Sequence, residues 1–243
     1  MIPIGDDLHT YHRPVGVYLL IGANVLVFMF ELLLTPAQVR AHVLQWGLIP
    51  SALNQWRMAP EVWGTLITSL FMHGGWAHII SNMLYLGIFG ANVEDNMGTR
   101  RFIAFYLLCG IIAGLAQVLA APHSTIPIIG ASGAVAGVLG AYLLLYPTAR
   151  VYMLLPLFFV FAKIPVPAVL VLGFWFVSQL LNGVASLGPA MQVGGIAWWA
   201  HIGGFVAGIV LLLFFKRRRQ PPPHIFYTPP STDFYDEDEP WVH

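Results

Sequence analysis

The chain has 243 residues, of which 58% are hydrophobic and 9% charged, and its 11 Lys plus Arg balance its 11 Asp plus Glu. Soluble globular domains carry about a quarter charged residues, so this composition excludes an ordinary soluble domain and points to a membrane protein. The charge balance argues against a nucleic-acid partner, no glycine loop of the phosphate-binding kind is present, and the single cysteine, Cys109, cannot build a disulfide framework or a thiolate metal cluster.

Residues 1–14 carry Asp6, Asp7, His9, His12 and Arg13 and are too polar for a signal-peptide core. They are expected to form a cytoplasmic N-terminal segment. Crossing the hydrocarbon as a helix takes about twenty apolar residues. Six segments qualify, at roughly 15–34, 75–93, 101–121, 130–146, 166–185 and 195–215. The fold class expected is therefore all-α, a polytopic bundle of six transmembrane helices within residues 15–217. Cytoplasmic loops are enriched in Lys and Arg. With the N-terminus inside, Arg13, Arg100, Arg101, Arg150, Lys163, Lys216, Arg217, Arg218 and Arg219 are cytoplasmic, leaving only Arg40 and Arg57 outside. Both termini are expected in the cytoplasm.

Between the first two segments, residues 35–73 mix Trp46, Trp56, Trp63, Pro50 and Pro60 with scattered apolar residues. Aromatic residues favour the headgroup region, so a long, membrane-associated first loop with short interfacial helices is expected. Residues 151–166 are apolar but broken by Pro156 and Pro165, which suggests a re-entrant or interfacial piece, or an extension of the fifth span. Residues 218–243 are Pro-rich and then acidic, a composition that cannot bury a core, and are expected to be a disordered cytoplasmic tail.

Lipid penalises polar groups, so those inside the spans are functional candidates. His78 and Asn82 lie in the second span, Ser132 opens the fourth and His201 lies early in the sixth. Even-numbered spans all enter from the outer face, so these four residues share one depth. His78 and Asn82, four apart, share a helix face, as do His201, Gly204 and Gly208. Gly133 and Gly137 give the fourth span a smooth face as well, and small residues let membrane helices approach closely. Close approach of these spans would bring the Ser132 hydroxyl to the His201 imidazole, a nucleophile beside a general base. The Ser132 backbone N–H, Asn82 and His78 are candidate donors to an oxyanion. Ser81, three residues from His78, is a rival nucleophile whose hydroxyl is accounted for by backbone hydrogen bonding. Glu94 and Asp95 beside Arg100 and Arg101 read as interfacial ion-pair partners.

These motifs resemble the rhomboid family of intramembrane serine proteases. "HGGWAHIISN" is similar to the family's H-x-x-x-x-H-x-x-x-N pattern at His73, His78 and Asn82; "GASG" resembles its G-x-S-G motif at Ser132; "AHIGGFVAG" resembles A-H-x-x-G-x-x-x-G at His201, Gly204 and Gly208. The resemblance covers about residues 1–217. It implies a bacterial-type, six-span protease of the inner (plasma) membrane, with a catalytic Ser132–His201 dyad, oxyanion stabilisation by His78 and Asn82, and a structural acid at Glu94. Its partners would be transmembrane protein substrates and membrane lipid, with no metal or organic cofactor. Without an acid at the depth of His201, packing is expected to orient the imidazole, unlike the aspartate-supported soluble triad. The family's Trp-Arg dipeptide of the first loop is displaced here: its positions hold Gly64 and Thr65, and the only Trp-Arg pair is Trp56-Arg57.

The alternatives are a polytopic transporter and a non-proteolytic rhomboid-like scaffold. A transporter predicts repeated halves and a midplane site, neither evident here, and a scaffold predicts loss of the serine or histidine. Zinc and aspartyl intramembrane chemistry lack their signatures, since there is no H-E-x-x-H and no aspartate within a span.

Overall fold

The computed structural model describes residues 2–55, 59–157, 160–187 and 196–216. The 218–243 tail, Trp56-Arg57 and the basic residues Arg217, Arg218 and Arg219 lie outside the described residues.

Nine helices and three strands are described, in the order β1 (Ile2–Asp6), α1 (Val15–Glu31), α2 (Pro36–Trp46), α3 (Pro50–Gln55), α4 (Pro60–Thr68), α5 (Trp76–Met97), α6 (Thr99–Ala120), α7 (Ser132–Leu145), β2 (Arg150–Leu157), β3 (Val160–Pro167), α8 (Ala168–Ala185) and α9 (Trp198–Phe215). The protein is mostly helical and multi-pass. By length and apolarity α6, α8 and α9 suffice to cross a membrane, while α1 and α7 are shorter apolar helices. The 22-residue α5 is as long as α6 but carries buried Asn82, Asn92 and Glu94, polar groups turned into the bundle.

Helix α7 explains its own shortness. Its 14 residues reach about 21 Å, less than the roughly 30 Å hydrocarbon layer. Every residue from Gly133 to Tyr142 is buried, so its neighbours are other helices rather than lipid. Around it pack Phe89, Phe102, Phe105, Tyr106 and Phe205, all essentially inaccessible. Outward-facing Leu26, Phe174, Leu181, Leu213 and Phe214 form the exposed apolar girdle.

Glycines set the α7–α9 spacing. A Cβ on Gly204 would strike the Gly133 carbonyl oxygen, and one on Gly208 would strike the Gly137 carbonyl oxygen. The expected small-residue contact between these helices is present, with backbone against backbone as dispersion-driven packing in lipid requires.

The all-α expectation is corrected by a three-stranded antiparallel sheet, order β1-β2-β3. Residues 151–166 form neither a re-entrant helix nor an extension of the fifth span; they fold as a hairpin with Arg150 opposite Pro167 and Leu154 opposite Lys163. The physical reason lies in the prolines, which forbid a helix interior but are tolerated at sheet edges. Pro165 lies on edge strand β3, and Pro156 lies beyond the reach of β1, which pairs only with Val151 to Leu154.

Carboxylates tie this end together. Asp6 accepts from Tyr142 Oη at 2.7 Å and Asn92 Nδ2 at 2.8 Å, and Asp7 accepts from Arg150 N at 2.8 Å. Glu94 accepts from the backbone N–H groups of Gly16 and Val17, each at 2.8 Å, and from Thr99 Oγ1 at 2.6 Å. It therefore caps the first turn of α1, whose free N–H groups and dipole favour an anion. Asp95 takes the N–H and ring of His12 at 3.0 and 2.8 Å. The ion pairs expected with Arg100 and Arg101 are absent among the described residues, because backbone donors already occupy these carboxylates.

Residues 35–73 form α2, α3, α4 and a 3₁₀ turn at Ser69–Phe71. Each of the three helices begins on proline, whose missing N–H costs nothing at a first helical position. Thr35 and Gln38 close a capping box on α2. Leu48, Leu53 and Leu66 pack with Val118 of α6, and Leu48 exchanges backbone hydrogen bonds with Ile128 at 2.8 and 3.0 Å. This loop is thereby fastened to the segment that leads into Ser132.

Candidate active site

Ser132 is the first residue of α7, and the turn before it depends on Gly130. Gly130 has φ +118°, donates its N–H to Ser69 O at 2.8 Å, and would place a Cβ 2.6 Å from His78 Nε2. Glycine alone suits both the dihedral and the space. The start of α7 at Ser132 leaves its first N–H groups without intrahelical acceptors.

His201 sits in the first turn of α9. The glycine seam draws α9 onto α7, and His201 Nε2 lies 2.8 Å from Ser132 Oγ. Both residues are half-buried and line a cavity of about 780 Å³ together with His78, Asn82, Tyr85 and Trp175. A hydroxyl hydrogen-bonded to a neutral imidazole can pass its proton to the ring as its oxygen attacks an electrophile.

His78 and Asn82 are on one face of α5, and both enter this cavity. Asn82 is buried, with Nδ2 3.1 Å from His73 Nε2. The His73 and His78 rings meet edge to face at 5.0 Å. Backbone N–H of His73 donates to Glu31 Oε2 at 3.2 Å, which anchors the start of α5 to the end of α1. All four sequence-predicted site residues are thus gathered at one cavity. Ser81 also lines this cavity, but its hydroxyl donates to His78 O at 2.9 Å rather than to an imidazole.

Sequence reasoning missed Gln179 on α8. Its carboxamide Oε1 lies 2.8 Å from His201 Nδ1, and the side chain is buried. Packing is therefore not alone in orienting the imidazole. The signal was available, because an amide inside a span needs a partner in lipid just as Asn82 does. Trp175, one turn earlier, lies 6.0 Å from the imidazole, ring centre to ring centre, and Trp198 meets it edge-on at 6.2 Å. Among the described residues lining the cavity there is no Asp, Glu, Lys or Arg.

The family model "Rhomboid domain" matches residues 59–218, which include His78, Asn82, Ser132, Gln179 and His201. The chain is 31% identical over 200 residues to Rhomboid protease GluP of Bacillus subtilis, covering 82% of this chain and 35% of that protein. It is 30% identical over 200 residues to the mitochondrial Rhomboid protein 1 of Saccharomyces cerevisiae, covering 80% of this chain and 51% of that one. A further similarity, 30% over 156 residues, is to the chloroplastic Rhomboid-like protein 11 of Arabidopsis thaliana, with 61% of this chain and 51% of that protein covered. The chain thus spans between a third and a half of the length of these relatives. A match across more than half of the chain, on the stretch that builds the Ser132 cavity, shows that this protein belongs to the rhomboid family.

Proposed function

We propose that this protein is an intramembrane serine endopeptidase that cuts transmembrane segments of membrane proteins with a Ser132–His201 dyad. The observation that carries this reading is the 2.8 Å contact between Ser132 Oγ and His201 Nε2 in a cavity large enough for a peptide. Ser132 Oγ attacks the scissile carbonyl carbon while its proton moves to His201 Nε2. His201 then gives that proton to the leaving amide nitrogen, the C–N bond breaks, and an acyl-enzyme remains. Water, deprotonated by the same nitrogen, attacks the ester and regenerates the hydroxyl. The oxyanion faces the Ser132 backbone N–H, His78 and the Asn82 amide, and each such donor is worth about 3 kcal/mol.

In this reading the six long helices α1 and α5 to α9 all cross the bilayer within a 15–217 protease unit, flanked by the 1–14 segment and the 218–243 tail on the cytoplasmic side of a bacterial plasma membrane. The basic residues of the 99–101, 150–163 and 216 stretches support that orientation. Ser132 then lies toward the outer face, and cleavage falls near the outer boundary of the substrate span. A helix withholds its carbonyls in hydrogen bonds, so Gly or other weak helix formers near that boundary favour cutting.

The test is incubation of the detergent-purified protein with a labelled transmembrane peptide. Ser132→Ala and His201→Ala are each expected to reduce cleavage to background while leaving the thermal transition unchanged. Wild-type turnover by a clean Ser132→Ala preparation would remove the nucleophile assignment, and an inert wild type would favour a non-proteolytic scaffold.

A further inference from the structure

Around His201 the hydrogen bonds have only one consistent direction, and it is set outside the dyad. The Trp175 carbonyl oxygen can only accept, and it takes the Ser178 hydroxyl at 2.6 Å. With its proton committed there, Ser178 Oγ offers a lone pair to Gln179 Nε2 at 3.0 Å, and Gln179 Nε2 also reaches the Trp175 carbonyl at 3.3 Å. Amide orientation is usually assigned from such networks. Here both partners of Nε2 are acceptors, so the carboxamide oxygen must face the imidazole, where it lies 2.8 Å from His201 Nδ1. An oxygen acceptor there requires the ring proton on Nδ1. Nε2 is then a bare lone pair facing Ser132 Oγ at 2.8 Å, the protonation state a general base needs.

We propose that Gln179 is a positioning residue for His201, holding the Nδ1–H tautomer through a polarity relayed from the Trp175 carbonyl and Ser178. This deepens the protease reading and rests on it. A neutral amide fills the place that a carboxylate takes in the soluble triad, where loss of the correct tautomer costs about 10⁴ in kcat. A carboxylate would have to be desolvated at this depth, whereas the amide satisfies both of its ends without a charge. Each of the three α8 residues, Trp175, Ser178 and Gln179, lies within one helical turn, so the relay is preassembled by a single rigid element.

The experiment uses the full chain in detergent, with Gln179→Met, which keeps length and apolar bulk, and Gln179→Glu, which keeps the acceptor. For Gln179→Met, kcat should fall about 10- to 1,000-fold with KM within about threefold, since the lost interaction orients the base rather than the substrate. Gln179→Glu should recover most of that loss. The new carboxyl keeps its proton on the oxygen that replaces Nε2, where the Trp175 carbonyl accepts it, so it adds no charge beside the ring and the kcat–pH profile should keep the wild-type shape. The titratable side chains sharing the cavity are His78 and Tyr85 of α5, both unchanged between these variants. Nitrogen NMR of ¹⁵N-histidine protein, with His201 identified by its loss in His201→Gln, should show Nδ1 protonated in wild type and the proton redistributed toward Nε2 in Gln179→Met. A Gln179→Met kcat within twofold of wild type, an unchanged tautomer in that variant, or a Gln179→Glu enzyme as impaired as Gln179→Met would each overturn the proposal. Should Gln179→Met fail to fold, Gln179→Glu and the wild-type spectrum decide: a wild-type ring protonated on Nε2 sinks it. The spectrum needs no proteolysis, so an inert wild type would defeat the protease reading while the tautomer still tests Gln179.

Discussion

Around the cavity where α7 begins, the polar side chains are Ser132, Asn82 and Gln179 with imidazoles at His73, His78 and His201, and the one nearby carboxylate, Glu31, is held by the His73 N–H outside the cavity lining. Sixteen residues further along α5, about 24 Å away, the polar groups are instead carboxylates, Asp6, Glu94 and Asp95. Those carboxylates are occupied by backbone N–H groups and fixed hydroxyls, so each is a structural tie. Ser132, His201, His78 and Asn82 of the first set line a cavity and can face an added group there. One helix thus carries a closed polar end and an open polar end, and only the open end is suited to chemistry on a guest.

The comparison breaks most severely where the two ends share a support. Gly204→Val would drive a side chain into the Gly133 carbonyl, against which no rotamer change helps. The α7–α9 seam would have to widen, separating Ser132 from His201 and costing about 3 kcal/mol or more in fold stability. Both the melting temperature and cleavage should fall together, and retention of either at the wild-type level would show that the seam does not set the dyad distance.

At the open end, removal of a group should alter rate rather than stability. His78→Ala or Asn82→Ala is expected to lower kcat about 100-fold, near 3 kcal/mol of transition-state stabilisation, with little change in KM. A raised KM at unchanged kcat in both variants would make them substrate-binding or structural groups. At the closed end the opposite holds. Glu94→Ala strips the caps from Gly16 and Val17 and should cost about 2 kcal/mol of stability, with turnover per folded molecule unchanged. A Glu94→Ala protein of full stability and reduced kcat would reverse the assignment of the two ends.

These two ends differed in how much the sequence disclosed. Ser132, His201, His78 and Asn82 were legible because lipid makes any polar residue in a span conspicuous, and because helix phase puts His201 on the same face as Gly204 and Gly208. The six long helices were legible within a few residues for the same reason. Gln179 escaped although its burial cost is of the same kind as that of Asn82, because it lies on an odd-numbered span and no small-residue face or motif marks it. The sheet escaped for a different reason. Residues 150–157 and 160–167 pair with each other and with Ile2–Asp6, and the latter contact spans some 150 residues of sequence, which no local pattern encodes. Prolines gave the negative statement, no helix, without naming the partner strand. Glu94 was recognised as structural, but its partners are backbone N–H groups, invisible in a sequence, rather than the adjacent arginines.

The smallest expected effect lies at Asp6, and it tests whether the closed end is tied by charge or by geometry. Burial raises the Asp6 carboxyl above its ordinary value of 3.8, with the neighbouring Asp7 adding to the rise, while hydrogen bonds from Tyr142 and Leu8 and the nearby His9 pull it back. A carboxyl raised in the folded state binds its proton more tightly there than in the undocked chain. Its contribution to docking is therefore fully present below pH 3.8 and is lost as the pH climbs through the raised value. The β1 strand should consequently be held more firmly at about pH 4 than at pH 7, measured as amide-exchange protection of Gly5 and of its partner Tyr152 after correction for intrinsic rates. Asp6→Asn keeps an oxygen for Tyr142 and Asn92 and carries no charge, so it should lie within about 1 kcal/mol of wild type and lose that pH dependence. Asp6→Ala, which leaves both donors without an acceptor, should be the weaker of the two at either pH. If wild-type protection proves flat across this range, or Asp6→Asn retains its slope, the titrating group is elsewhere and Asp6 acts by shape alone.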